Sequence, residues 1–308
     1  MHKSVLLNEA IEGLNIKEDG IYIDATLGYA GHSSEILKRL KRGFLFALDQ
    51  DSDAILVSTK KLQEISNNFK IIKTNFENLS EVISANEIGG IDGILFDLGV
   101  SSPQIDDAAR GFSFMKDAKL DMRMDKSGKL SAYEVINNYK EEELKSIFRR
   151  YGEEDFSSPI AKKIIEYRKK KTIETTLELV EIIKSSVPVK YFIKEHPERR
   201  IFQAIRIEVN NELGVIEKVL PDAIDALNKG GRIVVITFHS LEDRIVKQVF
   251  KKYSEVPAIF SGLPINDIPL EYRPKIKLIN KKPILPSEGE LKENRRSASA
   301  KLRIIERI

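Results

Sequence analysis

The chain has 308 residues, 42% hydrophobic and 31% charged, which suits a folded globular protein and excludes wholesale disorder. Cysteine is absent, which excludes disulfides, thiolate metal sites and a thiolate nucleophile; four scattered histidines without an HExxH pattern add no expectation of a metal. The net charge of +3 is uneven: residues 251–308 carry 13 Lys+Arg against 7 Asp+Glu and the rest 37 against 40, so a basic segment that suits a polyanion or a solvated tail follows a near-neutral body.

The chain opens on MHKSVLLNEAIEGLN, too polar for a signal peptide, and no later run reaches the roughly 18–20 apolar residues of a membrane span; a cytoplasmic protein is expected. Gly20 to Ala25 reads as a short apolar strand. A glycine turn follows, then a helix over Ser33–Leu40. Strands at Phe44–Leu48, Lys70–Lys73 and Ile91–Leu98 alternate with helices at Asp51–Ile65 and Asn78–Asn86. This alternation predicts βαβ units and a mainly parallel sheet covered on both faces.

The rhythm breaks after Leu98. Gly99–Lys129 has little periodicity, and helices are expected at Ser131–Asn137, Glu141–Tyr151, Ser157–Lys171 and Thr175–Ser186. Ser131 with Glu134, and Thr175 with Glu178, have capping-box spacing. An all-helical domain, residues 108–197, is therefore expected to interrupt a sheet domain made of 1–107 and 198–308. Ile201–Leu227 reads as one long helix split or kinked at Pro221, with Gly230-Gly231 as its terminating turn. Ile233–Phe238 is a buried strand, Ser240–Tyr253 a helix, 254–300 mostly loop, and Leu302–Ile305 a last strand. No internal repeat is found.

Parallel sheets bind ligands beyond the carboxyl ends of their strands. The first such end reads Asp24-Ala-Thr-Leu-Gly28-Tyr-Ala-Gly31-His32-Ser33. A glycine turn opening a helix lets a ligand approach the backbone N–H groups. Asp49 ends the second strand, where a carboxylate accepts hydrogen bonds from ribose hydroxyls, and Phe76 and Asp97 follow at the next two ends. Each alone has a plainer reading: a strand-end Asp is also a helix cap, and His32 also a packing residue. Together and in order they point to a nucleoside cofactor. Gly28 and Gly31 do not complete a GxGxxG, so a nicotinamide dinucleotide fits less well than S-adenosylmethionine, whose ammonium Asp24 suits.

The stretch IDGILFDLGVSSPQIDDAARGFSFMKDAKLDMRMD at 91–125 closely resembles the RsmH (MraW) family, together with TLGYAGHS, FQAIRIEVNNEL at 202–213, ITFHSLEDRIVK at 236–247 and NRRSASAKLR at 294–303. The resemblance covers nearly the whole chain. It implies an α/β class I (Rossmann-like) S-adenosylmethionine-dependent methyltransferase sheet with an inserted all-helical domain. It implies methyl transfer to the N4 amine of a cytidine in the decoding centre of 16S rRNA, within the small ribosomal subunit. Cofactor contacts carry over to Ala30, Gly31, His32, Asp49, Phe76, Asp97 and Gln104. The family usually has glycine where this chain has Ala30, and we expect φ < 0 there, so that a methyl is tolerated and binding survives.

The catalytic base is not assigned by the sequence; Asp97 and His239 are candidates, His239 reading more plainly as a strand-end packing residue. The missing cysteine closes the usual route to cytosine C5 through a thiolate adduct. Arg295 and Arg296 are candidate RNA contacts. Arg168 to Lys171 ends a helix, where cations complement the dipole as readily as they meet phosphate. Phe112, Phe114, Met115, Met122 and Met124 are expected to pack in a core between the domains. A methyltransferase on another RNA or DNA amine and a catalytically silent rRNA-binding assembly factor are the competing readings. Oligomeric state is open.

Overall fold

The computed structural model describes residues 4–308. Elements in chain order are α1 (Leu7–Leu14), β1 (Ile21–Asp24), α2 (Gly31–Arg39), β2 (Phe44–Asp49), α3 (Ser52–Gln63), β3 (Phe69–Lys73), α4 (Leu79–Ala85) and β4 (Ile91–Asp97). Then come α5 (Ser102–Asp106), α6 (Ala132–Asn138), α7 (Glu141–Arg150), α8 (Ser157–Arg168), α9 (Thr176–Ser185), α10 (Val189–Glu195) and α11 (Pro197–Asn210). The chain closes with α12 (Glu212–Ala226), β5 (Leu227–Thr237), α13 (Ser240–Ser254), β6 (Ile276–Leu278), α14 (Glu288–Glu293) and β7 (Lys301–Arg307). Among the described residues, no helix is long and apolar enough to cross a membrane.

Two compact units result: the chain up to Gly99 with Leu213–Ile308, and Val100–Glu212. The division thus falls before 108 and after 197. Val100, Ile105 and the α11 residues Ile201, Phe202 and Ile205 pack with the second unit's core and carry their segments with them.

The first unit is a seven-stranded sheet in the order β3-β2-β1-β4-β5-β7-β6. The five strands from β3 to β5 run parallel, and β7 is antiparallel to both β5 and β6. Strand side chains alternate between faces. Ile94, Phe96, Ile233 and Val235 therefore enter one core, with Val82 of α4, Val219 of α12 and Val246 of α13. Leu95, Val234 and Ile236 enter the other, with Ile11 of α1, Leu37 of α2 and Leu62 of α3. Burial on both faces explains why the strands read as continuous apolar runs.

Two expectations at α12 and β5 need correction. The break in 201–227 lies at Asn211, which adopts the left-handed conformation (φ 49°) favoured at helix ends. Pro221 sits inside the continuous α12 instead. Gly230-Gly231 is not a helix terminus: both glycines belong to β5, where the register with β4 shifts between Ile91 and Gly93.

The second unit is helical. Its core gathers Val135, Leu144, Ile160, Leu179 and Ile205 from α6, α7, α8, α9 and α11. Both expected capping boxes form, at Ser131–Glu134 and Thr175–Glu178. Phe112, Met122 and Met124 lie in this unit's own core, Phe114 stacks edge-on to Phe202, and Met115 is exposed.

Candidate functional site

The turn between β1 and α2 is shaped by two left-handed residues, Gly28 (φ 47°) and Ala30 (φ 55°). The expected φ < 0 at Ala30 is thus incorrect. The turn closes by Ala30 N–H donating to the Leu27 carbonyl at 2.8 Å, and left-handed backbone at Ala30 then starts α2. An L-residue there carries strain of roughly 1–2 kcal/mol. Ala30 is fully buried, and its methyl packs in the α1/α2 core, which offsets part of that strain. Gly31 has a different constraint: a Cβ there would lie 1.7 Å from Ser4 Oγ, so the N-terminal segment occupies the space.

Three carboxyl groups stand at the ends of β1, β2 and β4. Asp24 is buried; it accepts hydrogen bonds from Ser33 Oγ (2.6 Å) and Thr26 N–H (3.1 Å). Burial outweighs both and pushes its pKa up to about 6. Asp49 accepts from Gly28 N–H and Asp51 N–H, both at 2.8 Å, and burial raises its pKa too. Gln50 N–H bonds it as well, so about three of its roughly four acceptor positions are engaged in shaping the turn.

Asp97 receives least support. Its Oδ1 is buried without a hydrogen-bond partner. Its pKa is pushed well above the usual carboxylate range by burial, then by the Asp24 and Glu242 charges. His32 Nδ1 lies 3.6 Å from Asp97 Oδ2, while His32 Nε2 is 3.1 Å from the Val5 carbonyl. A carbonyl only accepts, so Nε2 carries the proton and Nδ1 presents a lone pair toward Asp97. Burial lowers the His32 pKa to about 4, which keeps the ring neutral. Phe76 follows β3, edge-on to Phe96 at 5.7 Å.

These residues, with Gly28, Ala30 and Gly31, come together in the first unit. Gln104 belongs to the second, where its Oε1 accepts from Ser101 N–H at 2.9 Å in a capping box at the start of α5. His239 caps α13: its Nδ1 accepts from Glu242 N–H at 3.4 Å, and its Nε2 faces Glu242 Oε1 at 3.1 Å. Arg295 and Arg296 are exposed in a 3-10 turn between α14 and β7.

Residues not singled out from sequence complete the arrangement. Thr26 Oγ1 accepts from Asp97 N–H at 2.7 Å, and Ser33 serves Asp24. A buried aspartate demands such donors, so Ser33 was within reach of the sequence. So was Glu242, three residues after His239. Val5 on His32, and Glu290 Oε1 accepting from Leu6 N–H at 2.8 Å, leave no local pattern.

The arrangement suits a cation. Its acids raise one another's pKa, and a positively charged ligand with ribose hydroxyls relieves them while filling the free positions on Asp49 and Asp97.

Comparison with known proteins agrees. The sequence model of the MraW methylase family matches residues 1–308. A protein of Exiguobacterium sibiricum named ribosomal RNA small subunit methyltransferase H is 52% identical over 100% of this chain and 98% of its own. Proteins of the same name from Clostridioides difficile (52% identical, 100% and 99% covered) and Mycoplasma mycoides subsp. mycoides (54%, 99% and 99%) are similarly related.

Proposed function

The chain belongs to the MraW methylase family, and from that premise we propose that it methylates 16S rRNA in the small ribosomal subunit, at the N4 amine of a cytidine in the decoding centre. It would work in the cytoplasm, with S-adenosylmethionine as methyl donor. The observation that carries the cofactor is the acid-rich cradle, above all the unpartnered, buried Asp97 Oδ1. The relatives' shared name supports ribosomal RNA as substrate.

Asp49 would hold the ribose. The turn at Ala30, Gly31 and His32 would contact the cofactor, with Phe76, Asp97 and Gln104, and after them Asp24 and Gly28. When bound, S-adenosylmethionine supplies a methyl carbon already activated by its sulfonium. The protein's part is placement and proton handling. The cytosine N4 lone pair is delocalised into the ring, so an acceptor on N4–H must turn it out and take the departing proton. Of the two candidates we favour Asp97, which stands at a strand end among the acids of the cradle, whereas His239 caps α13 through its Nδ1. Burial that raises the Asp97 pKa also makes its carboxylate a stronger acceptor, and a cation in the cradle returns it to the ionised form.

The test incubates the protein with labelled S-adenosylmethionine and small subunits from cells lacking the activity, then digests the RNA. Label in N4-methylcytidine is expected. Label in another nucleoside overturns the substrate. No label with cofactor binding intact removes the small subunit as substrate, and loss of binding as well returns the chain to a silent RNA-binding factor.

A further inference from the structure

A ribosomal RNA substrate needs a phosphate-binding face, and α8 presents one. Among its cations, Arg168 has a structural task. Its Nη1 donates to the Ile136 carbonyl at 2.6 Å and its Nη2 to the Tyr139 carbonyl at 2.5 Å, at the end of α6 where carbonyls lack helical partners. Its neighbours have none. Lys162, Lys169 and Lys170 are exposed and Lys163 partly so; among the described residues none of the four has a carboxylate partner. In the same unit Lys145, Arg149, Lys171 and Lys184 are paired with Glu142, Asp155, Glu178 and Glu181.

Lys162 and Lys163 lie on α8, and Lys169 and Lys170 lie in the turn that directly follows it, seven residues on. Complementing the helix dipole accounts for cations in the last turn only. It does not account for the first pair. The turn that bears the second pair is also fixed in place. Arg168 ties it to α6, and beyond it Asn137 clasps Ile173, donating to its carbonyl at 2.8 Å and accepting from its N–H at 3.1 Å. Asn137 also donates to the carbonyl of Tyr133, one turn earlier on α6. Lysines on a fixed backbone spare the main-chain ordering that lysines on a loose tail would need on meeting phosphates.

We propose that Lys162, Lys163, Lys169 and Lys170 form a docking surface for the ribosomal RNA backbone, built wholly by the second unit. The lysines neutralise phosphates without reading bases. This inference rests on the ribosomal RNA reading above.

The test measures kcat and KM for methylation of small ribosomal subunits by the full-length protein, across a range of KCl. K169A/K170A is compared with K60A/K229A, which removes the same charge from exposed positions of the first unit. The first variant is expected to raise KM roughly tenfold, leave kcat within about twofold, and make the slope of log kcat/KM against log salt shallower by about 1.5. The second leaves KM and slope unchanged. Equal KM and slope in the two lysine variants overturn the proposal. Should the unaltered protein methylate no small subunit, the methylation reading fails, and sedimentation with the same subunits reads docking directly. Co-sedimentation lost only in K169A/K170A still supports the surface; undiminished co-sedimentation, or none with the unaltered protein, overturns it.

Discussion

At Ala30 two small energies oppose each other. Left-handed backbone costs an alanine roughly 1–2 kcal/mol relative to glycine. Its buried methyl returns about 0.8 kcal/mol, and alanine restricts the unfolded chain by a further 0.5–1 kcal/mol or so. Ala30→Gly is therefore expected to change stability by less than about 1 kcal/mol and to leave cofactor affinity unaltered, as denaturant unfolding and calorimetry will read. The sequence could not reveal this conformation, because it follows from a turn closed onto Leu27 and a helix start that only the folded chain displays.

Asp24 makes the stability of the fold depend on pH. Its folded-state pKa is raised to about 6, so the folded protein keeps a proton that the unfolded chain releases near pH 4. The contribution is fully present below pH 4 and is lost as pH rises through 6, at most about 3 kcal/mol for a shift of this size. Asp49 and Asp97 shift in the same direction. Asp24→Asn keeps both hydrogen bonds, since the Ser33 hydroxyl can turn to accept. Thermal melts from pH 4 to 7 are expected to show a flatter profile and higher stability at pH 7, by on the order of 1–2 kcal/mol. Cofactor affinity is expected to fall about tenfold, through the lost attraction to a cation.

Among the elements, those that announce themselves by period or cap were legible. β2 and β4 are apolar runs because both faces are buried, and the capping boxes at Ser131 and Thr175 use only residues three apart. What failed depends on longer range. α1 is a short amphipathic helix whose apolar side is defined by packing on β5 and β7. Proline outweighed asparagine in reading 201–227, yet Asn211 tolerates the left-handed bend and Pro221 is absorbed inside α12. Arg168 illustrates the same limit: nothing local shows that a cation at the end of α8 will hold the end of α6. Arg168→Met removes two charge-assisted hydrogen bonds and is expected to cost about 2 kcal/mol. Arg168→Lys recovers less than half, since an ammonium cannot fork to two carbonyls. Urea unfolding followed by circular dichroism separates the two.

For the whole molecule, the interruption of the βα series was visible as a change of period, and the strand-end order Asp24, Asp49, Phe76, Asp97 already outlined the cradle. Gln104 shows where that outline stops, for its amide closes a capping box within the second unit. Val100–Glu212 is continuous and carries its own core. Expressed alone, it is expected to give a helical circular dichroism spectrum and a cooperative melt; a non-cooperative melt would mean that its core needs the rest of the chain.

The first unit has no such independence, because β7 lies between β5 and β6 and is the last strand in the chain. While the polypeptide is being synthesised, β5 stays an open edge until Lys301–Arg307 has been made. A stop before Lys301 leaves the helical insert intact and the sheet with an exposed, aggregation-prone border. Quality-control proteases would meet a half-finished molecule. The sheet that bears the cradle is thus sealed on this side by one of the latest segments to be made.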